Sequence, residues 1–384
     1  MTRQPNAVDF WRGFALITIF IDHIPGLVYS RYTLVNVSIS DAADLFVFLA
    51  GWSIRLMADG RHMTTRDTML RLVARAFELY AAQVLITMLA IAMLATSAIE
   101  LSNPLLLEWH NAAAVFNDPV PTHIGLAVLT HQLGYFDILP LYVVLMLMAP
   151  LFALIDRLAP NLLLPLSLTF YVIVLAFRLT LPTWPVSGTW FFNPLAWQVL
   201  MVLGFVMAKE RSGIGAFVRR HIVPIRWIAL PIVILGILVV RFDWWPDPTE
   251  VPNPKLFFIV DKTYVTPIRL IQFLALIAVF SLVFRYIRRA AALAVIGPAI
   301  DGVITLFAML GRNSLYVFCV GSLLSLAAQI MRYYWRGTVG IDTAVVILGI
   351  IIMAFTAWLA ESRQRNAPAK PSQPPQPPMP AASA

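Results

Sequence analysis

Residues 15–30 read ALITIFIDHIPGLVYS. The stretch is apolar almost throughout, yet Asp22 and His23 sit at its centre. Apolar runs of similar length recur along the whole chain. Of its 384 residues, 60% are hydrophobic and 12% charged, whereas roughly a quarter of residues are charged in a soluble domain. A hydrocarbon core about 30 Å thick needs ~20 helical residues per crossing, and backbone groups in lipid must pair within the chain. A barrel would show ~10-residue segments that alternate apolar and polar. The runs here are longer and do not alternate, so the sequence reads as an all-α polytopic membrane protein.

About ten transmembrane helices are expected, near residues 12–30, 40–58, 73–98, 134–155, 162–181, 190–208, 222–240, 266–286, 312–331 and 341–360. Pro140, Pro150 and Pro165 fall in or at the ends of these spans, where neighbouring helices can re-satisfy the backbone. The apolar segment 290–310 is broken by Gly297-Pro298 and Asp301 and reads as interfacial or as an eleventh span. With the N-terminus inside, 20 of the 28 Lys and Arg residues fall on the inner side and eight on the outer. That bias favours both termini in the cytoplasm. The apolar start is interrupted by Asp22, His23 and Pro25 and lacks a small-residue cleavage pattern, so it reads as a first span rather than a signal peptide. Residues 1–366 form the expected membrane domain. The tail APAKPSQPPQPPMPAASA, 367–384, is Pro-rich low complexity and is expected to be disordered. No internal repeat is visible.

Several function classes are excluded. The single cysteine, Cys319, allows no intrachain disulfide and no thiolate metal cluster, and no metal site is expected. The formal charge of +8 comes from basic residues in short loops between apolar segments, which argues against a nucleic-acid partner. The expected partners are the lipid bilayer and whatever substrates reach the polar groups within it.

Those polar groups form stripes. Asp9, Arg12, Leu16, Ile19 and His23 follow one another at helical spacing and share one face. His23 would then lie ~16 Å beyond Arg12. An ionisable group at that depth costs a few kcal/mol unless it faces protein or water. His23 is either a packing residue that hydrogen-bonds a neighbouring helix or a general base. In the second span, Asp44, Phe48, Gly51 and Arg55 share a face, and Gly51 permits close approach of a neighbouring backbone. Asp44 reads either as a helix-start acid complementing the dipole or as the group that orients His23. Arg71, Arg75 and Glu78 line one face of the third helix. Their arginines are either topological or a phosphate clamp for a coenzyme A donor. On the outer side, Asp137 stands beside His131, Gln132 and Tyr135, and Trp190 and Asn193 stand near Trp197 and Gln198. These are either an ordinary aromatic belt or an acceptor site for a sugar.

Four motifs in order carry a resemblance. They are DFWRGFALITIFIDHIPG, SDAADLFVFLAGW, LGYFDILPLYVVLM and GRNSLYVFCVGS. The opening, with Asp9, Arg12, Gly13 and His23 followed by Asp44 to Gly51, resembles the membrane O-acyltransferases of acyltransferase family 3. Within that superfamily the chain is similar to the OpgC proteins, which succinylate osmoregulated periplasmic glucans. The resemblance covers most of the chain except the Pro-rich tail. It implies ten or so spans in a bacterial inner membrane. It also implies acyl transfer from a donor such as succinyl-CoA to a periplasmic glucan, with no bound cofactor. It makes His23 the essential histidine. Together with the polar stripes and mouths, this gives His23 and Asp44 as the catalytic candidates, Arg12, Arg71 and Arg75 as the donor-binding candidates, and Asp137, Trp190 and Asn193 as the acceptor-binding candidates. Many members of the broader superfamily carry a second histidine after the late Ser-Tyr motif; Ser314 to Gly321 holds none here. The rival reading is a proton-coupled transporter or exporter of a polar or glycan-related substrate, since intramembrane Asp and His also suit a proton relay.

Overall fold

The computed structural model describes residues 6–59, 64–209, 212–293 and 295–366. The tail 367–384, expected to be disordered, lies outside the described residues. The described residues are largely helical, with one two-stranded ribbon, β1 (Pro182–Thr183) and β2 (Gly188–Thr189). The helices run in order α1 (Ala7–Asp22), α2 (Leu34–Val37), α3 (Ala42–Ala58), α4 (Thr65–Glu100), α5 (Ala113–Asn117), α6 (Pro119–Ala127), α7 (Ile138–Leu158), α8 (Leu163–Phe177), α9 (Pro194–Met207), α10 (Gly213–Arg220), α11 (Ile222–Phe242), α12 (Pro267–Ala290), α13 (Gly297–Arg312), α14 (Ser314–Trp335) and α15 (Val339–Asn366).

Six of them, α4, α7, α11, α12, α14 and α15, are long and apolar enough to cross a membrane. The other four expected spans appear as helices of 14–17 residues, α1, α3, α8 and α9. At 1.5 Å per residue these reach only about 21–26 Å. The chain is a multi-pass membrane protein, and the segment 290–310 contributes α13, a 16-residue helix packed against α1.

Local chemistry explains the helix limits. Asn6 caps α1 by accepting from the Asp9 amide at 2.8 Å. The helix stops at Asp22 rather than running to residue 30, because Pro25 disfavours helical geometry just before it and Gly26 turns the chain at φ +74°. Asp41 and Asp44 form a capping box at the start of α3: the Asp41 carboxylate accepts from Ala43 N at 2.9 Å, and Asp44 accepts from Asp41 N at 2.8 Å. A second box, Thr64 with Asp67, opens α4. With no Gly or Pro between 65 and 100, α4 runs for 36 residues, about 54 Å.

Glycines set the closest helix pairs. A Cβ added at Gly51 of α3 would lie 1.9 Å from the Met201 carbonyl oxygen of α9, and one at Gly204 of α9 would lie 1.9 Å from that of Phe48. Gly13 and Gly311 play the same part between α1 and α13. The expected close approach at Gly51 is therefore present. Residues Ala196 through Val206 of α9 are all buried, which makes it a central helix. By contrast α11 and α15 leave most of their apolar surface uncovered, as lipid-facing helices do.

Candidate active site

Two chambers lie end to end beside α1, α3 and α7. The first, about 420 Å³, is lined by Arg12, Arg71, Arg75, Arg312, Glu78 and Ser314. The second, about 390 Å³, is lined by Asp22, His23, Asp41, Tyr135, Asp137 and Lys262, with Phe191 and Phe192. Helix α1 sends Arg12 to the first and Ile19, Asp22 and His23 to the second. Helix α3 divides likewise: Ala42 and Ala43 line the histidine chamber, Phe46 and Ala50 the arginine chamber. Helix α7 gives Ile138 to one and Leu139 and Tyr142 to the other. The Phe46 ring packs against Tyr142 with centroids 5.2 Å apart and stacks at 6.2 Å on Phe318. All three line the arginine chamber and form an aromatic layer facing it.

The arginine chamber brings Arg12, Arg71 and Arg75 together as the stripes predict, and adds Arg312. Arg12 Nη2 donates to Ser314 Oγ at 2.5 Å. Arg75 pairs with Glu78 at 2.7 Å, and Arg312 with Glu361 at 2.8 Å. Among the described residues four guanidinium groups face one lining carboxylate, so the chamber suits a multiply charged anion.

In the histidine chamber, His23 sits one residue past the end of α1, not within a continuous helix. Its amide still closes the last turn onto Ile19 O at 3.0 Å. Its carbonyl accepts from Gln329 Nε2 of α14 at 2.6 Å. The imidazole lies against the Tyr135 ring at 4.8 Å, and its buried Nδ1 has no hydrogen-bond partner among the described residues. The adjacent Asp22 carboxylate accepts from Thr33 Oγ1.

Asp44 does not orient His23. Its carboxylate is held by Arg269, with Nε to Oδ1 at 3.1 Å and Nη2 to Oδ2 at 2.5 Å. Arg269 also reaches Asp41 Oδ2 at 3.0 Å, and Lys262 Nζ lies 2.6 Å from the same oxygen. Two acids and two cations thus lock the start of α3 to α12 and the loop before it. The physical reason for the correction is pairing: a fully buried carboxylate takes a guanidinium fork when one is in reach. Lys262 also lies over the Phe191 and Phe192 rings at 5.7 and 5.2 Å.

Of the expected acceptor residues, Asp137 lines the histidine chamber and the other two do not. Asn193 is fully buried and spends both ends of its amide on backbone: Oδ1 accepts from Leu195 N at 3.2 Å, and Nδ2 donates to Leu179 O at 2.7 Å. It is the cap of α9. Trp190 is 4% exposed; Phe191 and Phe192 present the aromatic surface instead. His131 packs into the loop with Nε2 3.1 Å from Asn111 O. A groove of about 510 Å³, lined by Trp109, His110, Tyr135, Gln329 and Tyr333, shares Tyr135 with the histidine chamber. Burial holds the His110 imidazole below the usual histidine range, and its 2.8 Å bond to Gln329 opposes that shift.

The family model of the OpgC protein matches residues 3–365, almost the whole chain. The chain belongs to the OpgC family. No curated protein matches its sequence. As an OpgC protein it carries the arginine and histidine chambers within the matched region. The capping acid Asp41 was legible as part of Asp-x-x-Asp, though not as a chamber residue. Lys262 and Arg269 gave no local signal, because their partners lie far away in sequence, whereas Tyr135 was legible at the outer mouth beside Asp137.

Proposed function

We propose that this OpgC protein is a membrane O-acyltransferase that moves a succinyl group from a cytoplasmic acyl-CoA to hydroxyls of a periplasmic glucan. The observation that carries the reading is the stacking of an arginine chamber and a histidine chamber along the same three helices. In this reading the protein sits in the bacterial inner membrane with both termini in the cytoplasm, consistent with the Lys and Arg bias.

Arg12, Arg71, Arg75 and Arg312 bind the phosphates of the donor, whose acyl end extends past the Phe46–Tyr142–Phe318 layer. A glucan hydroxyl enters the histidine chamber, with Asp137 and Tyr135 as its neighbours. His23 takes the hydroxyl proton as the oxygen attacks the thioester carbon. The C–S bond breaks, an ester forms, and the proton passes to the departing thiolate. Packing against the Tyr135 ring restrains the His23 imidazole. The groove with Trp109, Tyr135 and Tyr333 offers ring faces to further glucose units. Asp44 and Arg269 act by positioning the α3 wall, not on the reacting atoms.

Mass spectrometry of periplasmic glucans from cells with the gene, without it, and with His23→Ala tests the reading. Succinyl-sized mass increments present only with the unaltered gene support it; identical spectra in all three strains refute it. Ionisable Asp22 and His23 lining one chamber also suit the rival transporter. That reading requires dependence on the proton gradient and leaves no covalent ester.

A further inference from the structure

A third cavity, about 620 Å³, lies away from both chambers, between α9, α10, α11 and α12. Its walls are apolar, with Trp52, Leu203, Met207, Leu274 and Ile277. Three arginines, Arg219, Arg226 and Arg285, also line it, and among the described residues no acidic residue does. Arg226 donates to Ala278 O at 3.1 Å and to Ser281 Oγ at 2.8 Å, and Arg219 donates to Met207 O at 3.2 Å. These acceptors are all neutral. Among the described residues none of the three arginines makes an ion pair. Arg226 and Arg285 are near enough to repel each other. The short helix α10 carries exposed Ile214 and Phe217 beside Arg219 and Arg220, the pattern of a helix lying at a membrane surface.

We propose that this cavity binds an anionic phospholipid. The phosphate sits among Arg219, Arg226 and Arg285, and an acyl chain lies along the Trp52–Leu203–Leu274 wall. The charge pattern selects the class. Three uncompensated guanidiniums at the mouth of an apolar slot call for an anion with a hydrocarbon body. Free phosphate has no use for the slot, and a zwitterionic lipid brings its own cation toward the arginines. The proposal is independent of the acyl-transfer reading.

The test uses the full-length protein in neutral detergent, titrated with phosphatidylglycerol, phosphatidylcholine or inorganic phosphate and followed by native mass spectrometry and thermal unfolding. Phosphatidylglycerol is expected to bind roughly 10-fold or more tightly than phosphatidylcholine, the size of one charge-assisted hydrogen bond. Arg226→Ala/Arg285→Ala should abolish the preference, and Arg219→Ala should weaken it, providing a second variant should the double one fold poorly. Arg363→Ala removes a charge from an exposed site at the far end of α15 and should leave the preference intact. Equal binding of the two lipids, or a preference that survives in both cavity variants, overturns the proposal. Inorganic phosphate stabilising as strongly as phosphatidylglycerol overturns the lipid assignment as well.

Discussion

The arginine chamber and the histidine chamber share the walls α1, α3 and α7 but hold their charges differently. In the first, arginines outnumber acids: Arg12 rests on a serine hydroxyl, and among the described residues Glu78 is the one acidic side chain lining it. In the second, the lining residues Asp41 and Lys262 are locked into one network with Asp44 and Arg269, while the His23 imidazole has a buried nitrogen without a partner among the described residues. Cations with spare donors are suited to holding a ligand. Charges already paired are suited to holding a wall still, so that a weak base beside them meets its substrate in one orientation. Five substitutions sharpen or break that contrast.

The largest effect is expected at His23. His23→Ala should lower acyl transfer by roughly 10²–10⁴-fold, the usual worth of a general base, with normal protein levels in the membrane. Retained activity in glucan assays would remove His23 from the chemistry. Asp44→Ala should act on stability, because it leaves Arg269 as a buried charge that has lost a partner. A loss of about 3–5 kcal/mol is expected, read as a lower unfolding temperature in detergent and lower abundance in cells. If instead the protein is stable and only its rate falls, Asp44 belongs with the catalytic group after all.

Arg71→Ala and Arg75→Ala should each raise the KM for the acyl donor by roughly 10-fold, matching the loss of a hydrogen bond to a charged group, with little change in kcat. A changed kcat at constant KM would contradict a donor-holding role. The smallest effect is expected for Asn193→Ala, which removes a helix cap and should cost about 0.5–2 kcal/mol of stability. Its KM for glucan should not move; if it does, the acceptor site reaches further than the histidine chamber.

Much of this was legible in the sequence where the signal is periodic. The apolar runs place the helices, and the four-residue spacing of Arg71 and Arg75 puts both on the face of α4 that lines the arginine chamber. Gly51 does pack against a neighbouring backbone. What was not legible depends on partners remote in sequence. Arg269 lies 225 residues from Asp44, and no pattern within either segment announces the pair; Asp44 read either as a helix-start acid, which its capping bond to Asp41 N bears out, or as the orienter of His23. His23 read as part of a continuous helix because periodicity carries through a stretch that Pro25 and Gly26 in fact end. Trp190 and Asn193 were chosen by type, as aromatic and amide at a mouth; the chain turns so that the neighbouring Phe191 and Phe192 face the chamber while Asn193 caps α9.

The division of labour between the chambers is tested most directly by acyl transfer in proteoliposomes containing the full-length protein, with succinyl-CoA varied at fixed glucan. The unaltered protein, His23→Ala and Arg71→Ala/Arg75→Ala would be compared, together with donor binding to each. The account predicts that His23→Ala binds donor normally and does not transfer, while the arginine variant transfers at a near-normal limiting rate only at much higher donor concentration. If loss of His23 instead weakens donor binding, or loss of the two arginines lowers the limiting rate without affecting donor binding, the two chambers do not divide binding from chemistry and the account is wrong.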